Sequence, residues 1–267
     1  MTAATVSVDR GARPQLVDAV SDTLTIAQRN LITLRRVPQL LVFSTIQPVM
    51  LVVMFRYVFG GAIAVPGTDY VDYLMPGVFA QVVAFGAMNT AIGLATDAKL
   101  GLIERFRSLP MARSAVLTGR TLADAVRNVL VVALMVAVGF LVGFRLGTNV
   151  LGLLAAIGLL VLFGFALSWV FAAVGLAVRD AESAQAAAFP VMAPLVFASS
   201  AFVPVESMPG WLQAWARNQP LSAVVDAARA LMLGGPTAGE VTHAVAWCVG
   251  IVAVAAPFAV RIYRRTV

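Results

Sequence analysis

The sequence predicts an all-α integral membrane protein with six transmembrane helices. The 267-residue chain contains six stretches without Asp, Glu, Lys or Arg, at 37–55, 73–96, 128–144, 146–178, 183–205 and 241–260. A helix needs about 20 apolar residues to cross the hydrocarbon core of a bilayer. The composition agrees, because 60% of the residues are hydrophobic, 12% are charged and the mean hydropathy is +0.90. Soluble domains carry about 25% charged residues.

The apolar stretches are continuous, which favours helices over the alternating pattern of membrane barrel strands. We expect one membrane domain over residues 1–267. The predicted spans are at about 38–58, 72–96, 118–144, 150–178, 184–203 and 241–261.

The net charge of +6 does not indicate a nucleic-acid-binding protein, because the basic residues follow the predicted topology. If the N-terminus is cytoplasmic, 15 of the 19 basic residues fall on cytoplasmic segments. The four exceptions are Arg56, Arg145, Arg217 and Arg229. An excess of basic residues on the cytoplasmic side is the bias that orients membrane proteins. We therefore expect both termini in the cytoplasm and no nucleic acid among the partners.

The segment 14–36, ahead of the first span, carries an apolar stripe with helical spacing. The stripe consists of Val17, Val20, Leu24, Ala27, Leu31 and Leu34, at intervals of three and four residues. This spacing predicts an amphipathic helix. Such a helix either lies in the inner membrane interface or packs against a cytoplasmic partner.

The segment 97–128 is the longest predicted cytoplasmic connection between spans. Between residues 100 and 111 arginines alternate with apolar side chains. Two interpretations stay open here: a docking surface for another protein, or a solvated loop rich in arginine for topology. Further along, Arg120, Asp124 and Arg127 lie four and three residues apart on one helix face, which allows ion pairing. We expect that helix to continue into the third span.

Residues 207–234 predict two short helices on the outer side. Trp211 and Trp215 line one side of the first helix, and tryptophan favours the membrane interface. Pro220 separates it from a second apolar stripe that ends at Gly234 and Gly235. Two short, partly apolar helices predict a re-entrant hairpin that dips into the outer leaflet, where it must be buried in protein or line a cavity.

Residue types that the chain lacks restrict its function. The only lysine, Lys99, does not belong to a GxxxxGK[ST] phosphate loop, so this chain is not itself a P-loop ATPase. One histidine and one cysteine cannot supply an ordinary zinc site, and we expect neither a metal site nor enzymatic activity. Ion-coupled carriers usually place ionisable groups at the midplane, whereas all thirteen acids lie outside the charge-free stretches. A transport subunit powered by another protein is therefore favoured, with an ion-coupled carrier and a non-transporting membrane scaffold as alternatives.

Two runs of sequence resemble permeases of the ABC type-2 exporter family. The run 101-GLIERFRSLPMARSAVLTGRTLAD-124 resembles the cytoplasmic loop that follows the second span in this family. The run 203-VPVESMPGWLQAWARNQPLSAVVDAARALMLGG-235 resembles the outer segment between spans five and six. The most similar branch is that of the daunorubicin-resistance-like bacterial permeases, and the resemblance extends over essentially the whole chain.

The resemblance implies roles for residues in both runs. A coupling helix at about 100–111 would dock in a groove of an ATPase, through Gly101, Leu102, Ile103, Glu104, Arg105, Phe106, Arg107, Ser108, Leu109 and Pro110. On the outer side, Pro209, Trp211, Asn218 and Pro220 match recurrent positions of the re-entrant helices. Asn218 is expected to cap the second of these helices, because its side chain can accept free backbone N–H groups.

The resemblance also implies a permease subunit that works by alternating access in the bacterial cytoplasmic membrane. Its expected partners are two copies of a separate ABC ATPase and a second permease, in a homodimer or a heterodimer. No cofactor is expected in this chain, since the ATPase would bind ATP and Mg²⁺. The substrates would be amphipathic or hydrophobic small molecules, either drugs or lipids. Candidate cavity residues are Phe43, Gln47, Met50, Met54, Phe79 and Met88, for each of which ordinary packing is the alternative.

Overall fold

The computed structural model describes residues 15–36, 39–61, 63, 65, 67–102, 115–178 and 180–265. Within these residues the secondary structure is helical throughout, which confirms the predicted fold class at that level. The α-helices are α1 (Gln15–Arg36), α2 (Gln39–Met54), α3 (Tyr70–Lys99), α4 (Ala115–Val142), α5 (Val150–Ala177), α6 (Ala181–Phe197), α7 (Gly210–Asn218), α8 (Pro220–Leu233) and α9 (Thr237–Arg265). A π-helical turn, Phe55–Phe59, extends α2, and a 3₁₀ turn, Val205–Ser207, precedes α7.

Four of these helices, α3, α4, α5 and α9, are long and apolar enough to cross a membrane. The remaining helices at predicted spans, α2 and α6, have 16 and 17 residues. The predicted count of six spans therefore stays a prediction. The helix that carries Arg120 and Arg127 does continue without a break into the third predicted span, as α4.

Helix α3 forms the centre of the bundle. It packs against α4, α5, α6 and α8, with further contacts to α2, and 20 of its 30 residues are buried. A helix that is apolar on all sides is expected in such a position, because every face meets protein. Phe79 and Leu74 of α3 and Phe163 of α5 are among the fully buried side chains of this core. Helix α9 lies at the periphery, against α5 and α8.

Glycines allow the backbones of neighbouring helices to approach closely. A Cβ at Gly175 of α5 would overlap the Ala91 carbonyl oxygen of α3, and one at Gly77 of α3 would overlap the carbonyl oxygen of Ala201. Gly119 of α4 lies in the same way against the backbone of α1 at Thr23. Small residues at helix contacts are typical of membrane bundles, where association depends on van der Waals packing.

Helix α6 begins at a well-formed cap and contains two prolines. The Asp180 carboxylate accepts hydrogen bonds from the Ser183 backbone N–H at 2.8 Å and from the Ser183 hydroxyl at 2.9 Å. The bonds from Ser183 hold the pKa of Asp180 below its usual range. Pro190 and Pro194 lie inside the helix, where each removes a backbone donor.

We expect Gly175→Ala to destabilise the protein, because the new methyl group would overlap a backbone oxygen that cannot move alone. Overpacking of this kind costs about 1–3 kcal/mol. Gly158→Ala is the matched control on the same helix, since, apart from its chain neighbours and its own helix backbone, no described atom lies within 4 Å of a Cβ there. The measurement is the melting temperature of each purified variant in detergent. Equal melting temperatures for both variants would contradict the close contact between α3 and α5.

Candidate functional site

A cavity of about 700 Å³ lies between α1, α2, α3 and α4. On α3 its lining runs from Gln81 to Asp97, which corresponds to about 24 Å along the helix axis. The lining consists of Arg29, Asn30, Leu31, Gln47, Pro48, Gln81, Val82, Phe85, Gly86, Asn89, Gly93, Thr96, Asp97, Arg120, Ala123, Asp124, Arg127, Asn128 and Val131. The volume falls in the range of small-molecule sites, about 300–1,000 Å³.

The first charged group at the cavity joins three helices through one carboxylate. Asp97 Oδ2 accepts a hydrogen bond from Arg120 Nη1 at 2.8 Å and lies 3.5 Å from Arg29 Nη2. The side chains of Asp97 and Arg120 are only 16% and 17% exposed. A buried carboxylate needs such partners, because desolvation without them is costly. The group ties α1 and α4 to the end of α3.

A second charged group lies between α3 and α4, further from α1. Asp124 is buried, accepts a hydrogen bond from the Thr90 hydroxyl and lies 3.6 Å from Arg127. Arg127 also donates to the Gly86 carbonyl. The predicted pairing along α4 is therefore confirmed for Asp124 and Arg127. Arg120 pairs instead with Asp97, because that carboxylate comes within reach from α3.

The described lining also includes apolar surface. Pro48 of α2, Val82 and Phe85 of α3 and Val131 of α4 supply apolar surface there. Amide side chains are interspersed with them. Gln81 Oε1 and Asn128 Nδ2 are buried and, among the described residues, have no hydrogen-bond partner. A buried polar group without a partner costs about 1–3 kcal/mol.

Of the predicted cavity residues whose side chains the structure describes, one lies at the lining. Gln47 lines the cavity, whereas Met50 and Met54 of α2 are exposed on the surface of the chain. Phe79 and Met88 of α3 are buried in the core. Phe43 falls on α2.

The charged residues of the lining were not predicted as cavity residues, although the sequence contains a signal for them. Gly86, Thr90, Gly93 and Asp97 recur at intervals of four, three and four, which puts small and polar residues on one face of α3. The bulky arginines of α4 need such a face. A Cβ at residue 93, for example, would overlap the Arg120 guanidinium.

The predicted coupling helix lies largely outside the described residues, which end at Leu102 and resume at 115. Gly101 closes α3: its N–H donates to the Ala98 carbonyl at 3.0 Å, and its φ of +67° favours glycine. Residues 103–110 therefore stay predictions. In the described part of the chain, no group of three or more His, Cys, Asp or Glu side chains could hold a metal ion.

At the opposite end of the bundle, Arg229 of α8 joins three elements. Its guanidinium donates to the Ser200 carbonyl at 2.9 Å and to the Tyr73 carbonyl at 3.2 Å. It pairs with Asp226 at 2.8 Å, and its Cζ lies 3.7 Å from the centre of the Tyr73 ring. The Ser200 hydroxyl completes the group by donating to Asp226 at 2.8 Å. The second helix of the predicted hairpin is thus fixed to α3 and to the turn after α6.

The predicted outer residues lie at or near the ends of α7 and α8. Pro209 precedes α7, Pro220 begins α8, and Trp211 is 76% exposed on α7. The expectation that Asn218 caps α8 is wrong. Its Nδ2 donates back to the Ala214 carbonyl at 2.8 Å, because Asn218 is the last residue of α7. Gln219 occupies the cap position, without a side-chain bond to α8.

Residues 21–233 match the ABC-2 type transporter family. This range contains most of the bundle and the three charged groups described above. The chain belongs to this family. Its similarity to individual ABC-2 permeases extends beyond the matched segment. "Daunorubicin resistance ABC transporter permease protein DrrB1" of Streptomyces coeruleorubidus is 39% identical over 257 residues, 96% of this chain and 90% of the relative.

Two further relatives of this ABC-2 protein come from Mycobacterium tuberculosis. "Probable doxorubicin resistance ABC transporter permease protein DrrC" is 29% identical over 224 residues, 83% of this chain and 80% of the relative. "Doxorubicin resistance ABC transporter permease protein DrrB" is 30% identical over 172 residues, 64% of this chain and 60% of the relative. The family and the apolar helices identify the chain as a membrane protein of the ABC-2 transporter type.

We expect Arg229→Lys to destabilise this ABC-2 permease by about 1–3 kcal/mol, because lysine cannot reproduce the forked hydrogen bonds or the stacking on Tyr73. The matched control is Arg217→Lys. Arg217 is exposed and lies 3.6 Å from an exposed Glu206, so its replacement should change little. The melting temperatures of both variants in detergent give the comparison. A loss of stability no larger for Arg229→Lys than for the control would refute the proposed fixing role.

Proposed function

We propose that this chain is the permease subunit of an ATP-driven exporter that moves amphipathic or hydrophobic small molecules, drugs or lipids, out across the bacterial cytoplasmic membrane. The observation that carries the proposal is the similarity over 96% of the chain to a daunorubicin resistance ABC permease. The cavity between α1, α2, α3 and α4 supports it, because its lining combines charged, amide and apolar side chains. Such a lining suits a molecule with a polar head and an apolar body.

The proposed topology has six spans and cytoplasmic termini. Helix α2 with its π-helical turn covers residues 39–59, about 31 Å of helix, which matches the hydrocarbon thickness. Helix α6 measures about 26 Å and can be accommodated by local thinning of the bilayer. The distribution of basic residues supports the orientation. The end of the bundle that carries α1, the last turn of α3 and the first turn of α4 is then cytoplasmic, and Arg229 is on the outer side.

Energy would come from a separate ABC ATPase, present in two copies, which binds ATP and Mg²⁺. In this proposal the permease has no ATPase site of its own. Residues 100–111 would form the contact, and Gly101 fixes the direction in which the chain leaves α3 towards it. Helix α1 would also transmit movement of the ATPase to the bundle. Its Ile26 and Ala27 are buried where it packs on α4, and its Arg29 lies 3.5 Å from Asp97.

The proposed mechanism is alternating access. ATP binding shifts the permease only if the ATPase interacts more strongly with one conformation than with the other. The ion pairs at Asp97 can couple the ATPase to the permease conformation, because they connect α1 and α4 to the central helix α3. A movement of the ATPase against α1 would therefore act on two walls of the cavity.

Purification of the tagged protein from its native membrane in mild detergent should recover a stoichiometric subunit with a Walker A motif and ATPase activity. Mass spectrometry identifies the subunit, and a second permease in the same eluate would indicate a heterodimer. Repeated absence of the ATPase, with the permease folded, would contradict the proposal and favour an ion-coupled carrier or a scaffold.

Glu104→Ala and Arg105→Ala should abolish most ATP-driven efflux while membrane insertion stays intact, because both residues belong to the proposed contact with the ATPase. Efflux from cells is measured at equal membrane abundance of each variant. Arg217→Ala, on the exposed outer helix α7, serves as the control and should transport normally. Normal efflux by the Glu104 and Arg105 variants would contradict the assignment of residues 100–111 as the contact with the ATPase.

We also propose that two permeases meet through α2 and α6, the first and fifth predicted spans. Both helices expose apolar side chains, among them Met50 and Phe189. Cysteines at these positions should crosslink between copies, whereas Val254→Cys on the exposed face of α9 should not. The native Cys248 is buried and gives little background. Crosslinking through α9 alone, seen on denaturing gels, would contradict this arrangement.

A further inference from the structure

Four arginines lie on the outer side in the orientation proposed above, and they differ in their partners. Arg217 and Arg229 each lie close to a carboxylate. The guanidinium groups of Arg56 and Arg145 make neither a hydrogen bond nor an ion pair with any residue that the structure describes. Outer arginines oppose the charge bias that orients membrane proteins. The two that lack a carboxylate are therefore the first candidates for an anion-binding site.

Arg56 and Arg145 lie at one corner of the bundle. Arg56 belongs to the π-helical turn that extends α2, and its Cζ lies 5.5 Å from the centre of the Tyr57 ring. A Cβ at Gly143 would lie 3.3 Å from each terminal nitrogen of Arg56. Gly143 follows α4 directly, and Arg145 is two residues further along. Because the Cα atoms of residues 143 and 145 are at most about 7.6 Å apart, both long side chains can reach one group.

Both guanidinium groups at this corner are accessible. Arg145 is exposed and Arg56 is half-buried. The carboxylate that contacts the corner, Asp72 of α3, accepts a hydrogen bond from the Arg145 backbone N–H at 2.8 Å. That bond fixes the backbone of the turn after α4. The donors of both side chains are therefore left for a further acidic group.

Apolar side chains are exposed beside the two arginines. Tyr57 and Val58 of α2 are 71% and 68% exposed, and Leu141 near the end of α4 is 87% exposed. In a bilayer such apolar groups contact acyl chains, whereas arginine side chains reach the polar interface. Guanidinium groups bind phosphate oxygens through paired hydrogen bonds. The combination suits a lipid with a phosphate headgroup better than a free anion.

We propose that Arg56 and Arg145 together bind the phosphate group of an anionic lipid in the outer leaflet. The acyl chains of this lipid would lie against the exposed apolar side chains at the ends of α2 and α4. A lipid held in this way would fasten α2 to the turn between α4 and α5. The inference uses the proposed orientation of the chain and does not depend on export.

Photoreactive lipids test the site on the purified full-length permease in nanodiscs, with its ATPase where the two copurify. The probes are phosphatidylglycerol and phosphatidylcholine, each with the same diazirine at the top of one acyl chain. Crosslinked peptides are mapped by mass spectrometry, and competition with unlabelled phosphatidylglycerol gives the affinity. We expect phosphatidylglycerol to label the peptides of Tyr57 and Leu141 more strongly than phosphatidylcholine does. Inorganic phosphate and glycerophosphoglycerol, the headgroup without acyl chains, should not displace it at the same concentration.

Four variants separate the charge of the site from the charge of the protein. Arg56→Gln and Arg145→Gln should each weaken the binding of phosphatidylglycerol about fivefold, the usual effect of one basic residue near an anionic membrane surface. Asp72→Asn should strengthen binding, because it removes a negative charge and can still accept the hydrogen bond from Arg145. Arg217→Gln is the matched control, an outer arginine that lies close to Glu206, and should leave binding unchanged. Melting temperatures establish that each variant is folded.

Equal labelling by the two lipids, or a preference for phosphatidylglycerol that persists in both Arg56→Gln and Arg145→Gln, would overturn the proposal. So would an equal loss in Arg217→Gln, since net charge would then explain the preference. Displacement by phosphate or glycerophosphoglycerol would contradict a lipid as the ligand and assign the arginines to a free anion.

The side of the membrane is tested separately with Arg145→Cys in intact cells. This cysteine should react with a membrane-impermeant maleimide, and the buried native Cys248 gives little background. No reaction would contradict the outer leaflet as the location of the lipid. None of these measurements requires ATP-driven transport, so a failure of the exporter proposal is distinguishable from a failure of the lipid site.

Discussion

The contact between α3 and α5 determines how the rest of the bundle is arranged. Gly175 allows the α5 backbone to meet the Ala91 carbonyl, and Gly77 does the same for the turn after α6. Because α3 is enclosed in this way, its outward polar groups must find partners within the protein. Three ionic clusters form around those groups, at Asp97, at the Thr90 hydroxyl and at the Tyr73 carbonyl. The packing of α3 against its neighbours therefore determines where the ionic clusters form.

The clusters at Arg229 and at Asp97 have different mechanical consequences. Arg229 joins α8, α3 and the turn after α6 through hydrogen bonds to backbone oxygens, so these elements form one unit. The cluster at Asp97 consists of side chains alone and connects α1 to α4. Side-chain pairs can exchange partners without breaking a helix. The end of the protein that carries α1 is therefore better suited to rearrangement than the end that carries Arg229.

The sequence was sufficient for the helical class and for the continuity of α4, because charge-free length and apolar periodicity report directly on helices in lipid. It was insufficient for the site. Met50 and Phe79 are apolar, as expected of residues that bind an apolar ligand. Apolar character alone does not tell whether a residue lines a cavity, faces outwards like Met50 or is packed in the core like Phe79. Arg120 has an aspartate four residues away and still pairs with one on α3. That choice depends on the rotation of α4 against α3, which no local pattern contains.

Helix α2 forms one wall of the cavity and yet makes only limited contact with the core. Pro48 and Val52 are buried, whereas Met50, Met54 and Tyr57 are exposed in the single chain. Substitutions on this helix can alter the shape of the cavity while the α3–α5 contact and the ionic clusters are preserved. In the exporter proposed above, a change of ligand range through α2 would leave the contacts that hold the fold intact.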